Sequence, residues 1–398
     1  MLDQQRVVKA LEAERASFAR FSAEQEQQQR MAARWEEIFS TYSSAELCAR
    51  VAGIPWPGAL PTRELDEAGK LLIPFRPGWQ HHPDARGWAM GVLAGKPAIA
   101  VDGSQIAPDP IYSIPVGAIQ IGWFVNPHDG AQPYVKEIEF TVLPPEELSE
   151  TDGEMESFAI QAVNQRRFVR ECERLADLML EYARPEADVQ PLSFFDGSFI
   201  ISFAGKIQSG RARPYIRAID HLLTVSRTHE APLVGFVDTS NSRDIANLVY
   251  NLGINASGLP DVSDAALLRS ILPRWGDRTP FFICARPDAL SKEESGIFYK
   301  DVAFCYIRLA RNRPPARLEI PLWLLESGQA ESMVDRVRAE CVVGGGYPYA
   351  IETADAVAVL SHQDRRRFYA IFDHFLNQEG LALDVSRKAL SKQGRRTP

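Results

Sequence analysis

Two stretches, Ala98-Ile-Ala-Val-Asp-Gly-Ser104 and Ser193-Phe-Phe-Asp-Gly-Ser198, decide the fold of this chain. Each joins an apolar, strand-forming run to an Asp-Gly-Ser turn, after which apolar residues resume. Asp-Gly is also a common turn dipeptide, so a single copy indicates a turn more often than a site. Two copies place the carboxylates of Asp102 and Asp196 at the ends of two strands. Because a carboxylate at the end of a buried strand needs a partner, the pattern favours a shared cation site.

The composition is that of an ordinary globular chain. Its 398 residues are 45% hydrophobic and 24% charged, enough for one large or two ordinary domains. No long apolar run and no signal-peptide core occur, so we expect no membrane insertion and a cytoplasmic location. The net charge of −8 argues against non-specific coating of nucleic acid but allows an enzyme with a local basic groove.

The first part of the chain predicts a helical arm over residues 1–55. It is free of Gly and Pro for about 50 residues, and Val7, Leu11, Phe18 and Phe21 follow a helical spacing. This apolar stripe is thin, so we expect the arm to pack against a second chain or along the main domain.

Strands and helices alternate after the arm, which predicts one mixed α/β domain over 56–398 with a central sheet flanked by helices. The predicted strands are 71–75, 98–101, 117–125, 192–203, 233–237, 281–284, 302–307 and 317–323. The predicted helices are 152–183, 215–227, 243–252, 330–340 and 363–378.

A third candidate carboxylate lies on the helix over 152–183. With about 100° between successive residues, Glu171 lies about 60° from the centre of the apolar stripe, and Glu173 about 140° away. A salt bridge from Glu171 to Arg167 or Arg174 is the simpler alternative. Three carboxylates supply the hard oxygen ligands that Mg²⁺ or Mn²⁺ prefers, and such sites suit phosphodiester hydrolysis.

Several motifs, in this order, resemble the NurA family over about residues 95–375. They are Ile99-Ala-Val-Asp102-Gly-Ser104, the Arg-rich helix with Glu171, Phe194-Phe-Asp196-Gly-Ser198, Val234-Gly-Phe-Val-Asp238, Arg317-Leu-Glu-Ile-Pro321 and Gly346-Tyr-Pro-Tyr-Ala-Ile-Glu-Thr-Ala-Asp355. The resemblance implies an RNase H-like nuclease core in a toroidal homodimer. It also implies Mn²⁺-dependent 5′-to-3′ exonuclease and single-strand endonuclease activity on DNA. The implied partner is a HerA-type hexameric ATPase, with which the family acts in DNA end processing.

The resemblance also implies site residues. Asp102 and Asp196 match the family's metal ligands, and Glu171 matches its helix glutamate, with Glu173 as the alternative. Tyr347 is expected to orient the scissile phosphate or the attacking water.

Asp355 departs from the family pattern, because archaeal relatives carry a histidine at its spacing from the tyrosine. A carboxylate there can serve as a fourth acidic metal ligand but cannot replace an imidazole. Asp238 also ends a strand, although the Thr-Ser-Asn-Ser that follows favours a helix-cap turn. Arg317 and Glu319 share a strand face and are interpreted as an ion pair.

Three functions compete at this point. The first is a DNA nuclease dependent on Mn²⁺ or Mg²⁺. The second is a catalytically silent RNase H-like scaffold that dimerises and docks a DNA-translocating ATPase. The third is a phosphatase for small substrates. The sequence does not fix the polarity of cleavage, or choose between DNA repair and defence against foreign DNA.

Overall fold

The computed structural model of the chain describes residues 3–109, 112–148, 155–184, 189–201, 209–253, 262–286 and 298–381. Its helices are α1 (Gln4–Ala13), α2 (Arg15–Thr41), α3 (Ser44–Val51), α4 (Glu64–Ala68), α5 (His82–Leu93), α6 (Pro145–Leu148), α7 (Met155–Glu181), α8 (Ser209–Thr228), α9 (Asp244–Asn251), α10 (Asp264–Ile271), α11 (Leu322–Glu326), α12 (Ala330–Val343), α13 (Tyr349–Ala358) and α14 (His362–Gln378). Its strands are β1 (Gly58–Pro61), β2 (Ala98–Ile106), β3 (Gly117–Asn126), β4 (Val135–Leu143), β5 (Leu192–Asp196), β6 (Leu233–Val237), β7 (Phe282–Ala285), β8 (Val302–Ile307) and β9 (Ala316–Pro321).

The chain divides into two compact units. Unit 1 comprises Met1–Gly78, Val237–Pro287 and Tyr299–Leu322, and unit 2 includes Trp79–Phe236 and Trp323–Pro398. Among the described helices, none is both long and apolar enough to cross a membrane.

Unit 2 is built on a mixed sheet with the strand order β6-β5-β2-β3-β4. Strands β2, β3 and β4 form an antiparallel meander, whereas β5 runs parallel to both β2 and β6. All but the last residue of β3 are buried, as expected for a strand in the middle of a sheet covered on both faces. Three antiparallel strands followed by two parallel ones confirm the predicted RNase H-like mixed sheet.

Helices cover both faces of this sheet. Helix α7 packs on β2 and β3 through a stripe that includes the buried Cys172, Leu175 and Met179, and α13 packs on the same two strands. Helix α12 packs against α5. The capping box of Ser361 and Asp364 begins α14, where each residue's side chain bonds the other's backbone N–H.

Unit 1 contains a second set of strands, β1, β7, β8 and β9, paired antiparallel in that order. Helices α3 and α9 pack against β1, and the second half of α2 packs against α10. A group of buried and partly buried ionisable side chains lies in this unit, and we call it the arginine network. It consists of Asp244, Asp264, Arg286, Arg317 and Glu319.

The N-terminal arm is helical, as predicted, through α1 and α2. Trp35 and Phe39 are buried near the end of α2, whereas Leu11 and Phe18 are more than half exposed. The inner end of the arm thus packs within its own unit, and the outer apolar residues face solvent. The predicted boundary at residue 55 stays a prediction.

Several local predictions were wrong. Asp102-Gly-Ser104 is not a turn, because β2 continues through it to Ile106 with an unbroken ladder to β3. Residues 71–75 form only an isolated bridge at Ile73. The predicted strand over 192–203 ends at Asp196, and residues 202 and 203 lie outside the described part of the chain. Strand β9 ends at Pro321 because Leu322 begins α11.

Candidate active site

Asp102 and Asp196 lie on neighbouring strands at the same level of the unit 2 sheet. Strands β2 and β5 run parallel, and their last paired residues are Val101 and Phe195. The next residue along each strand is the aspartate that the sequence singled out. The Asp102 side chain is partly buried and the Asp196 side chain is exposed. The structure therefore brings these two carboxylates together although only Asp196 stands at a strand end.

Two glycines let helices approach β2 and β3 closely at this level. A Cβ on Gly103 would overlap the Glu171 Oε1 and lie 2.9 Å from the Arg167 Cγ, so α7 occupies that space. A Cβ on Gly122, the residue paired with Asp102, would lie 2.7 Å from the Ala358 backbone nitrogen of α13. The absent side chains thus admit α7 and α13 next to the aspartates.

Glu171 reaches the site from α7. Its side chain is 12% exposed, and its Oε1 accepts a 2.5 Å hydrogen bond from Arg167 Nη1. The same nitrogen donates to the Gly103 carbonyl oxygen at 3.1 Å, which fixes the ion pair against β2. Glu171 therefore forms the salt bridge with Arg167 that was the simpler alternative, and it also lies near the two aspartates.

Tyr347 and Asp355 complete the group. The Asp355 carboxyl shares a hydrogen bond with the Asp102 carboxyl. The Tyr347 hydroxyl donates to Asp196 Oδ1 at 2.7 Å, and its ring packs edge-on against Phe236 with 5.0 Å between ring centroids. All five residues named from the sequence thus lie in the same region of unit 2. We call its four acids, Asp102, Glu171, Asp196 and Asp355, the acidic cluster.

Carboxylates in the acidic cluster repel one another. Burial raises the pKa of Asp102 to about 6, and the neighbouring Asp355 and Asp196 carboxylates add to the rise. Burial also raises the pKa of Glu171 to about 8, with Asp102 and Asp196 adding to the effect and Arg167 opposing it. A cation placed among these groups would favour their ionised forms.

The donor set fits a hard divalent cation in its chemistry, since it offers only carboxylate and hydroxyl oxygens. Among the residues that the structure describes, no three acidic, imidazole or thiol groups already stand close enough together to hold a metal ion. Glu171 is held by Arg167, and Asp196 accepts a hydrogen bond from Tyr347. Binding an ion therefore requires these side chains to turn toward a common point.

The alternative candidates lie elsewhere. Glu173 forms a hydrogen-bonded ion pair with Arg170 at 2.7 Å, in agreement with the prediction that it points away from the apolar stripe. Asp238 accepts a 2.7 Å hydrogen bond from Arg313 in unit 1. The predicted ion pair of Arg317 and Glu319 is confirmed, with 2.6 Å between Nε and Oε1.

Sequence reasoning missed Gly103 and Gly122 as parts of the site. The sequence pattern predicts a turn at Gly103 and makes Gly122 one residue of an apolar strand. A glycine inside a strand often marks close approach of another backbone, so Gly122 offered a usable signal. Ser104 was also missed as a contact, since its hydroxyl accepts the Leu360 N–H at 3.2 Å beyond the end of α13.

A family model described as the NurA domain matches residues 96–360 of this chain. The matched range includes all five residues brought together above. No curated protein sequence matches the chain closely enough to count as a relative.

The solved structures that match this chain are distant in sequence. A crystal structure of NurA has 10% sequence identity and a TM-score of 0.43, covering 71% of this chain and 89% of that one. A crystal structure of NurA bound to dAMP and manganese has 10% identity and a TM-score of 0.40, covering 68% and 86%. The catalytic domain of human endonuclease V has 12% identity and a TM-score of 0.34, covering 76% and 95%.

Proposed function

This chain belongs to the NurA family of nucleases, and on that premise we propose that it hydrolyses phosphodiester bonds of DNA with bound Mn²⁺ or Mg²⁺ at the acidic cluster. The observation that carries the proposal is the position of Glu171. An acid that is 12% exposed occupies the space that Gly103 leaves open on β2, and the Asp102 and Asp196 charges there add to the rise in its pKa. A packing role alone does not explain why burial and neighbouring carboxylates are combined at one glutamate.

Asp102, Glu171, Asp196 and Asp355 would hold the metal in this proposal. When bound, a divalent ion activates water as a nucleophile and stabilises charge on the leaving oxygen. Tyr347, whose hydroxyl donates to Asp196, would orient the scissile phosphate or the attacking water. Asp355 lies next to the Asp102 carboxyl and would act as the fourth acidic ligand.

The family resemblance supports the finer parts of the proposal. We propose that the nuclease combines 5′-to-3′ exonuclease with single-strand endonuclease activity and works as a homodimer. Its partner is a HerA-type hexameric ATPase that feeds DNA during end processing.

A cleavage assay tests the proposal. Linear DNA labelled at the 5′ or the 3′ end is incubated with Mn²⁺, Mg²⁺ or EDTA, with and without a HerA-type ATPase. The wild type is compared with Asp102→Asn and with Asp177→Asn, a matched control on the exposed side of α7. We expect metal-dependent shortening by the wild type and by Asp177→Asn but not by Asp102→Asn.

The same assay separates the competing functions. Stimulation of the ATPase without any cleavage, unchanged in Asp102→Asn, would overturn the nuclease in favour of the silent scaffold. Hydrolysis of small phosphoesters without cleavage of DNA would instead favour the phosphatase.

A further inference from the structure

A cavity of about 630 Å³ lies in unit 2, away from the acidic cluster. Gln190 and Pro232 line it; Gln190 lies two residues before strand β5, and Pro232 directly precedes β6. Asp196 is the last residue of β5, so the cavity and the acidic cluster lie toward opposite ends of the same strand. The cavity volume falls within the range of roughly 300–1,000 Å³ that is typical of small-molecule sites.

A buried arginine lines the inner wall of this cavity. Arg336, on α12, is 5% exposed and donates to the backbone carbonyl oxygens of Gln190 at 3.0 Å and Pro97 at 2.5 Å. In the part of the chain that the structure describes, no carboxylate forms an ion pair with it. Glu340 lies nearby, but its carboxylate contacts the His128 ring at 3.1 Å and accepts the Ala350 N–H at 2.8 Å. Among the described residues, the Arg336 charge is therefore only weakly compensated.

Exposed polar residues form the rim. Arg227 belongs to the last turn of α8, and His229 follows the helix. Thr228 and Ser332 add hydroxyl groups, while Glu230 is the acid on the rim. Two arginines on one cavity provide a planar, permanently charged donor set of the kind that suits phosphate.

Apolar side chains form another part of the wall. Leu324 and Met333 are buried residues that line the cavity beside Pro232 and Val189. A cavity with cationic donors at one part and apolar side chains at another matches a ligand that carries a phosphate on an organic body.

We propose that this cavity binds a small phosphate monoester of nucleotide size, with the phosphate contacting Arg227 and Arg336 and the organic part lying against Leu324 and Met333. The site is separate from the acidic cluster and its occupation does not depend on a metal. Arg336 also connects it to the strands that carry Asp102 and Asp196, because the carbonyls that it holds directly precede β2 and lie two residues before β5.

Calorimetric titration with adenosine 5′-monophosphate tests this site. The full chain carries Asp102→Asn and Asp196→Asn and is kept in EDTA, so that metal-dependent binding at the acidic cluster does not contribute. We expect saturable binding of adenosine 5′-monophosphate. Adenosine should bind roughly tenfold or more weakly, because it lacks the charge that arginine contacts favour. Inorganic phosphate should also bind more weakly than the nucleotide because it makes no apolar contact.

Two further variants in the same background decide which residues bind. Arg227→Gln, an exposed position that should not disturb folding, is expected to weaken nucleotide binding roughly tenfold or more. Arg30→Gln, on the exposed part of α2, is the matched control and should bind like the parent. Absence of saturable binding would overturn the proposal, as would equal affinity for adenosine or full affinity in Arg227→Gln.

Discussion

The acidic cluster of unit 2 and the arginine network of unit 1 differ in the charged groups that surround their carboxylates. In the arginine network, Arg317 donates to Asp244 at 2.5 Å and to Glu319 at 2.6 Å, and Arg286 also binds Asp244. In the acidic cluster, Asp102 shares a hydrogen bond with Asp355, another acid. An acid whose charge is balanced by an arginine stabilises the fold, whereas acids that lie beside other acids favour the binding of a cation. Whether a buried acid indicates a functional site therefore depends on which cationic side chains lie beside it.

A single substitution in helix α7 tests this comparison. Glu171→Gln removes an acid of the cluster, so cleavage should fall roughly 1,000-fold or more, the scale for losing a group that the chemical step needs. Glu173→Gln, two residues away and paired with Arg170, is the matched control and should keep near wild-type activity. Rates of metal-dependent DNA cleavage measure both variants. If Glu173→Gln were the inactive variant, the helix ligand would be misassigned.

The arginine network predicts a large loss of stability without its central cation. Arg317 is 1% exposed, so Arg317→Met leaves Asp244 and Glu319 buried and poorly compensated, and should cost about 3–5 kcal/mol. Arg313→Met is the control, because Arg313 is 62% exposed and its pair with Asp238 should contribute about 0–1 kcal/mol. Urea unfolding gives both free energies. Similar losses of unfolding free energy in the two variants would contradict the stabilising role of Arg317.

The pH dependence of stability provides a further test of the arginine network, through Asp264. Burial, then the Asp244 charge, raises the pKa of Asp264 to about 7. Because the folded state binds this proton more tightly than the unfolded chain does, the stabilisation is complete below about pH 4 and is lost as the pH rises to 7. We expect this group to account for roughly 1–4 kcal/mol of the fall in unfolding free energy.

Asp264→Asn should flatten that dependence between pH 4 and 7, measured by urea unfolding across the range. Asp177→Asn, an exposed aspartate, should leave the slope unchanged. An unaltered slope in Asp264→Asn would contradict the assigned proton.

A smaller effect is expected at Gly103, whose missing side chain leaves room for α7 against the sheet. Gly103→Ala adds a Cβ that overlaps Glu171 and crowds Arg167, so it should cost about 1–3 kcal/mol of stability and also reduce cleavage. Gly91→Ala, in open space within α5, should instead stabilise by about 0.5–1 kcal/mol. Thermal unfolding and cleavage rates compare the two. A neutral Gly103→Ala would mean that α7 does not need this gap.

The sequence predicted much of unit 2. The apolar runs identified β2, β3, β5 and β6, and helical geometry distinguished Glu171 from Glu173. Those features depend on local pattern and on fixed angles within one helix, so they are readable from neighbouring residues.

The failures arose where distant packing overrides local preference. Asp-Gly-Ser at 102–104 has the composition of a turn, but pairing with β3 and the approach of α7 keep it in a strand. The arginine network joins residues from 244 to 319, and no spacing rule indicates that Asp264 lies beside Asp244. Strand β4 was also missed, although Ile138, Phe140 and Val142 alternate with polar residues.

The central claim is that the acidic cluster binds a divalent ion, and calorimetric titration of the metal-free protein with Mn²⁺ tests it most directly. The comparison is the wild type against the double variant Asp102→Asn, Asp196→Asn. We predict saturable binding by the wild type and a loss of roughly 100-fold or more in affinity in the variant. Equal binding by the two proteins, or no binding by the wild type, would contradict the claim.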